Sequence, residues 1–90
     1  MSYKTDLDYL GKVEAVFEKA LNVMYNGNTN RADEMIEERL CSTQSGVYWE
    51  LKCIEKDYGS EPMFRKRMKN IKKLIRSLEV ERLKRIYALT

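Results

Sequence analysis

The residues with most capacity for chemistry in this chain are cations. Arg65-Lys66-Arg67-Met68-Lys69-Asn70-Ile71-Lys72-Lys73-Leu74-Ile75-Arg76 holds seven bases among twelve residues and no acid. Guanidinium and ammonium groups repeated along a segment suit a polyanion, because each neutralised phosphate releases condensed counterions. The net charge of +3 conceals this concentration. Residues 1–59 carry 7 Lys/Arg against 11 Asp/Glu, a balance of −4; residues 60–90 carry 10 against 3, a balance of +7.

Projected at about 100° per residue, the segment divides into two faces. Phe64, Met68, Ile71, Leu74, Ile75 and Leu78 share one apolar sector, as a core-facing helix requires. Arg65, Lys66, Lys69, Lys72, Lys73 and Arg76 fall opposite and are the candidate contacts to nucleic acid or another polyanion. Arg67 alone falls in the apolar sector, where it is expected to snorkel or to pair with an acid of the first or second helix. A solvated face, balanced by acids elsewhere in the molecule, is the competing account of the stripe. Adsorption to an anionic membrane is disfavoured, because the apolar face is needed for the core.

Catalysis has little to work with. The chain has no histidine, which removes the commonest general base and the commonest metal ligand. Cys41 and Cys53 lack CxxC spacing, so no metal site is predicted. Both are expected to be reduced and to serve as small buried apolar residues. Phosphate-cradling glycine loops and HExxH are missing, and Asn26–Arg31 lacks the carboxylates of a calcium loop. The sequence therefore predicts a non-enzymatic binding or regulatory protein without a cofactor. MSYKTDLDYL shows no signal-peptide pattern, and no apolar run approaches the roughly 20 residues that span a bilayer. A cytoplasmic chain without membrane contact is expected.

A second candidate surface lies after Leu78. Val80, Leu83 and Tyr87 are spaced i, i+3, i+7, yet they project roughly 150° from the first apolar face. Ile86 and Leu89 return to that face. A helix end that is apolar on two sides exceeds what one small core can cover, and such patches mark association surfaces. Together with Trp49, these residues are candidate anchors for a protein partner or for a homo-oligomer. The competing account has helix one or the N-terminal tail wrapping this end. Tyr48 and Trp49 point about 100° apart on a helix, so only one can enter the core. The other is left to stack on a base or fill a partner's pocket. Three functions thus compete: polyanion binding, inhibition or adaptation of a protein partner, and an oligomer enclosing a small anion between basic helices.

Helices must position all of these groups. Ninety residues suffice for one domain, 1–90. Thr5 as N-cap and Asp8 in the capping-box position open a helix over about 6–25, with Leu7, Leu10, Val13, Phe17, Ala20, Leu21 and Met24 on its apolar face. Gly27 closes it, and Gly11 within it costs about 1 kcal/mol against alanine. Asn30 caps a second helix bearing Ala32, Met35, Ile36 and Leu40. The polar stretch Ser42–Gly46 is a break or a kink. Val47, Leu51, Ile54 and Tyr58 mark a third helix that Gly59 ends. Ser60 and Pro62 start a fourth, continuous to about residue 88 and roughly 40 Å long. Phe17 and Phe64 are expected in the core. No period-two pattern is sustained, and the fold class is all-α: a three- or four-helix bundle with a long basic C-terminal helix.

Overall fold

The computed structural model describes residues 3–88, with side chains from Asp6 onward. They form four helices, α1 (Tyr3–Tyr25), α2 (Thr29–Leu40), α3 (Gln44–Tyr58) and α4 (Pro62–Ala88), and among the described residues there is no strand. The fold is an all-α bundle.

The turn between α1 and α2 is built from two adjacent residues. Gly27 takes φ +94°, a left-handed conformation that costs glycine no Cβ clash. Its N–H bonds Met24 O at 2.9 Å and the Asn28 N–H bonds Val23 O at 3.2 Å, the paired closing bonds of a Schellman cap. Asn28 then opens α2, its side chain accepting from Arg31 N at 3.0 Å. Asn30, expected as this cap, lies inside the first turn instead. One residue can end α1 and begin α2, so the connection is shorter than the polar run suggests. The expected break at Ser42–Gly46 is real but shorter, over residues 41–43: Cys41 adopts φ 53°, and Thr43 caps α3, which takes in Gln44, Ser45 and Gly46, by accepting from Gly46 N at 3.1 Å.

Two other expected starts move by a few residues. α1 begins at Tyr3, so Thr5 lies within the helix and is not its N-cap. α4 begins at Pro62, with Glu61 O accepting the first helical bond from Arg65 N at 2.9 Å, which leaves Ser60 outside.

α1 and α4 run side by side in the same direction. Gly11 lies against Arg67, Glu14 against Asn70, and Met24 at the end of α1 meets Arg85. Parallel neighbours need a crossover, which α2 and α3 supply. α3 returns along α4 in the opposite sense, with Glu55 paired to Lys72 and Tyr58 stacked on Phe64. Phe17, Phe64, Leu10, Met24, Ile36, Ile71, Leu78, Val13 and Val47 are the largest fully buried side chains, so all four helices feed one core. Gly11 has a packing reason. A Cβ there would sit 3.3 Å from the Arg67 guanidinium, which crosses to pair with Glu14 at 3.7 Å. The stray cation of the apolar sector is thus paired with helix one.

The cysteines overturn their expectation: Cys41 and Cys53 are free and exposed. Cys41 sits at the left-handed end of α2, past its buried stripe. Cys53 follows Leu51 and precedes Ile54 on α3, on the helix side away from both.

Candidate nucleic-acid interface

The six candidate cations of α4 are all exposed. Among the described residues, Arg65, Lys66, Lys69, Lys73 and Arg76 have no carboxylate within ion-pair distance; Lys72 alone is paired, to Glu55 at 2.8 Å. Three of the four acids of α2 are spent elsewhere. Glu34 and Glu38 face Arg31, while Asp33 binds Arg82. Internal neutralisation therefore leaves most of the stripe untouched.

Five of these cations flank the seam between α3 and α4. A cleft of about 630 Å³ at the start of α4 is lined by Arg65, Lys66, Lys69 and Lys72, over a floor containing Phe64 and Met68. Further along, a cleft of about 590 Å³ is lined by Tyr48, Trp49, Lys72 and Arg76. A third, of about 370 Å³, lies between them and adds Lys52 and Lys56 from α3. Lys72 borders all three, so they form one open groove crossed by the Lys72–Glu55 pair. Glu79 also lines the Trp49 end. Lys73 is exposed but borders none of these clefts.

The α3 wall holds what the composition of α4 could not reveal. Lys52 and Lys56 follow Tyr48 at i+4 and i+8, which places all three on one side of α3. That spacing is the signal that would have found them. The Lys52 ammonium lies 4.9 Å from the Tyr48 ring centre and 5.4 Å from that of Trp49. Both contacts fall in the range of cation–π attraction. Neither ring enters the core: Tyr48 is 39% exposed and Trp49 65%. This corrects the expectation that one would be buried. Val47, Leu51 and Ile54 cover the core from α3, which leaves no inward position for either neighbour.

The rear of α3 is tied to α1. The Tyr9 hydroxyl donates to Glu50, and burial, followed by that carboxylate, pushes the phenol well above its ordinary range. Tyr58 is raised as well, by desolvation and then by the charge and hydrogen bond of Asp6. These bonds hold α3 against the bundle, and with it the aromatic wall of the groove.

The other candidate surface is also open. Val80, Leu83 and Tyr87 are exposed, Tyr87 by 71%. Ile86, expected to return to the core, is 57% exposed, because α1 ends at Tyr25 and α4 runs beyond it. α2 and α1 reach this end only through Arg82 and Arg85, and Val80, Leu83, Ile86 and Tyr87 keep their exposure among the described residues; Leu89 and the first two residues of the N-terminal tail lie outside them. Trp49 does not join this patch; it lies at the groove beside Arg76.

Among the described residues no three His, Cys, Asp or Glu side chains gather as a metal site, and no helix is long and apolar enough to cross a membrane. No protein-family model, curated protein or solved structure matches the chain. Fold and groove together define its class: a small helical bundle with a cation-walled cleft.

Proposed function

We propose that this protein is a non-enzymatic nucleic-acid-binding protein and that the α3–α4 groove is its contact surface. The observation that carries the reading is the exposed, unpaired state of Arg65, Lys66, Lys69 and Arg76 along one open cleft. Cations so placed gain by counterion release without first breaking an internal ion pair. Arg65 and Lys66 lie in the first turns of α4, where the helix dipole disfavours positive charge, and a bound phosphate offsets that repulsion.

The test is charge reversal inside the groove. Lys69→Glu with Arg76→Glu is expected to weaken oligonucleotide binding by about tenfold or more while the helical circular dichroism stays unchanged. Lys73→Glu, outside the clefts, is expected to do much less. Retained binding in the double variant contradicts the proposal. Equal competition by heparin and by oligonucleotide makes the ligand a polyanion in general.

The exposed apolar end of α4 favours a second reading, in which Val80, Leu83 and Tyr87 anchor a protein partner or a second copy. Recovery of one protein in a pull-down that survives nuclease and high salt supports it.

A further inference from the structure

We infer that the groove takes single-stranded nucleic acid, with unpaired bases stacked on Trp49 and Tyr48; this rests on the nucleic-acid reading above. The groove has two chemically distinct stretches. Its Arg65–Lys69 end offers cations over an apolar floor. Its other end offers two ring systems facing Lys72 and Arg76 across the seam. A sugar-phosphate backbone needs only the first kind of wall. Exposed rings beside cations suit a ligand that carries π-faces and negative charge together.

In a duplex each base face is covered by its neighbours, and only phosphates and groove edges are presented. An unpaired base turns a face outward, and stacking on an aromatic ring is then favourable for any base. The spacing agrees. Arg65 and Lys69, like Lys72 and Arg76, are four residues apart and so about 6 Å apart along α4. Phosphates of one duplex strand advance about 3.4 Å each along the axis and wind away from a straight row. An extended strand can follow the row while its bases turn toward α3.

Lys52 completes the arrangement. At i+4 from Tyr48 and i+3 from Trp49, its ammonium lies over both rings and restrains them. The same charge stands beside any base stacked there, within reach of its backbone phosphate. With Lys56 it gives the α3 wall a positive edge of its own.

The chain carries a single tryptophan, so its fluorescence, excited on the red edge where the tyrosines do not absorb, reports on this position alone. The experiment titrates the intact protein with a labelled single strand of about 12 nucleotides, and separately with the duplex of the same sequence, reading label anisotropy and Trp49 emission together. The expected result is tighter binding of the single strand, with Trp49 emission quenched in step with the anisotropy. Trp49→Ala is expected to lower single-strand affinity by about tenfold, and Trp49→Tyr to restore most of it. The exposure of Trp49 lets both variants fold, which circular dichroism checks. Duplex binding as tight as single-strand binding, or unchanged Trp49 emission at saturation, overturns this inference and leaves the cationic groove standing. Binding of neither probe at low salt overturns the nucleic-acid reading itself, and this inference with it.

Discussion

The two halves of α4 are built on opposite plans. From Pro62 to Glu79 the apolar residues other than Met63 are buried or half-buried, and the cations are outside and mostly unpaired. From Val80 to Ala88 the arrangement inverts. Arg82 reaches Asp33 and Gln44, the latter at 2.9 Å, and Arg85 binds Glu81 at 3.1 Å and the Met24 carbonyl, whereas Val80, Leu83 and Ile86 face outward. One helix thus carries both structural and free arginines. Cation count alone therefore says little about binding; what matters is whether a carboxylate of the same fold has already claimed the charge.

Breaking the comparison in the core gives the largest effect. Ile71→Ala, at a fully buried position, is expected to cost about 2–5 kcal/mol in urea unfolding. The equivalent truncation Leu83→Ala, at a residue 50% exposed, should stay within about 0.5 kcal/mol. A large loss at Leu83 would mean that a second surface covers it in solution. Next comes Arg82→Gln, which removes the bonds to Asp33 and Gln44. Because both partners are partly exposed, the expected loss is about 1 kcal/mol, with oligonucleotide affinity unchanged. Lost binding there would erase the division between structural and free arginines.

Glu55→Gln sharpens the comparison from the other side. It releases Lys72, the one stripe cation already paired, and should tighten oligonucleotide binding by about two- to threefold in anisotropy.

Smallest are the effects of pH. Glu81 is raised by desolvation but brought below its ordinary 4.5 overall by Arg85 and Lys84. A carboxylate depressed in the folded state stabilises above its unfolded value, and the contribution is lost as pH falls through the lowered one. Glu81→Gln should therefore flatten the acid limb of a stability–pH curve. Tyr9 acts in the opposite direction. Its raised phenol contributes fully below pH 10.0 and loses that contribution as pH climbs beyond it, so Tyr9→Phe should flatten the alkaline limb.

The four helices and the two faces of α4 were legible because they depend on local rules. Spacing of apolar residues, Gly27 and Pro62 act within a few residues of themselves. Part of what escaped is also local, a choice between neighbouring signals of equal strength, and the rest depends on partners distant in sequence. Asn28 and Asn30 are equally good caps in isolation, and the Schellman turn at Gly27 selects the first. Thr5 resembles a cap until α1 extends past it to Tyr3. Cys41 and Cys53 have a composition suited to burial but stand where the backbone turns them outward. The groove illustrates the point most fully. Its α4 wall was visible as a charge run and one of Tyr48 and Trp49 as a stacking candidate, whereas their meeting with the α4 cations along one groove depends on α3 folding back along α4. Likewise, the pairing of Lys72 with Glu55 joins residues that no local pattern connects.

The most direct test of the central claim, that the free cations of α4 bind nucleic acid, is the salt dependence of single-strand binding by the unaltered protein. Fluorescence anisotropy between about 50 and 200 mM salt reads the number of phosphates neutralised, at a slope of about −0.7 per contact. The four free groove cations of α4 predict a log–log slope of about −3, which Lys52 and Lys56 of α3 steepen toward about −4 where they also meet phosphate. A flat salt dependence, or no binding at the lowest salt, would contradict the account.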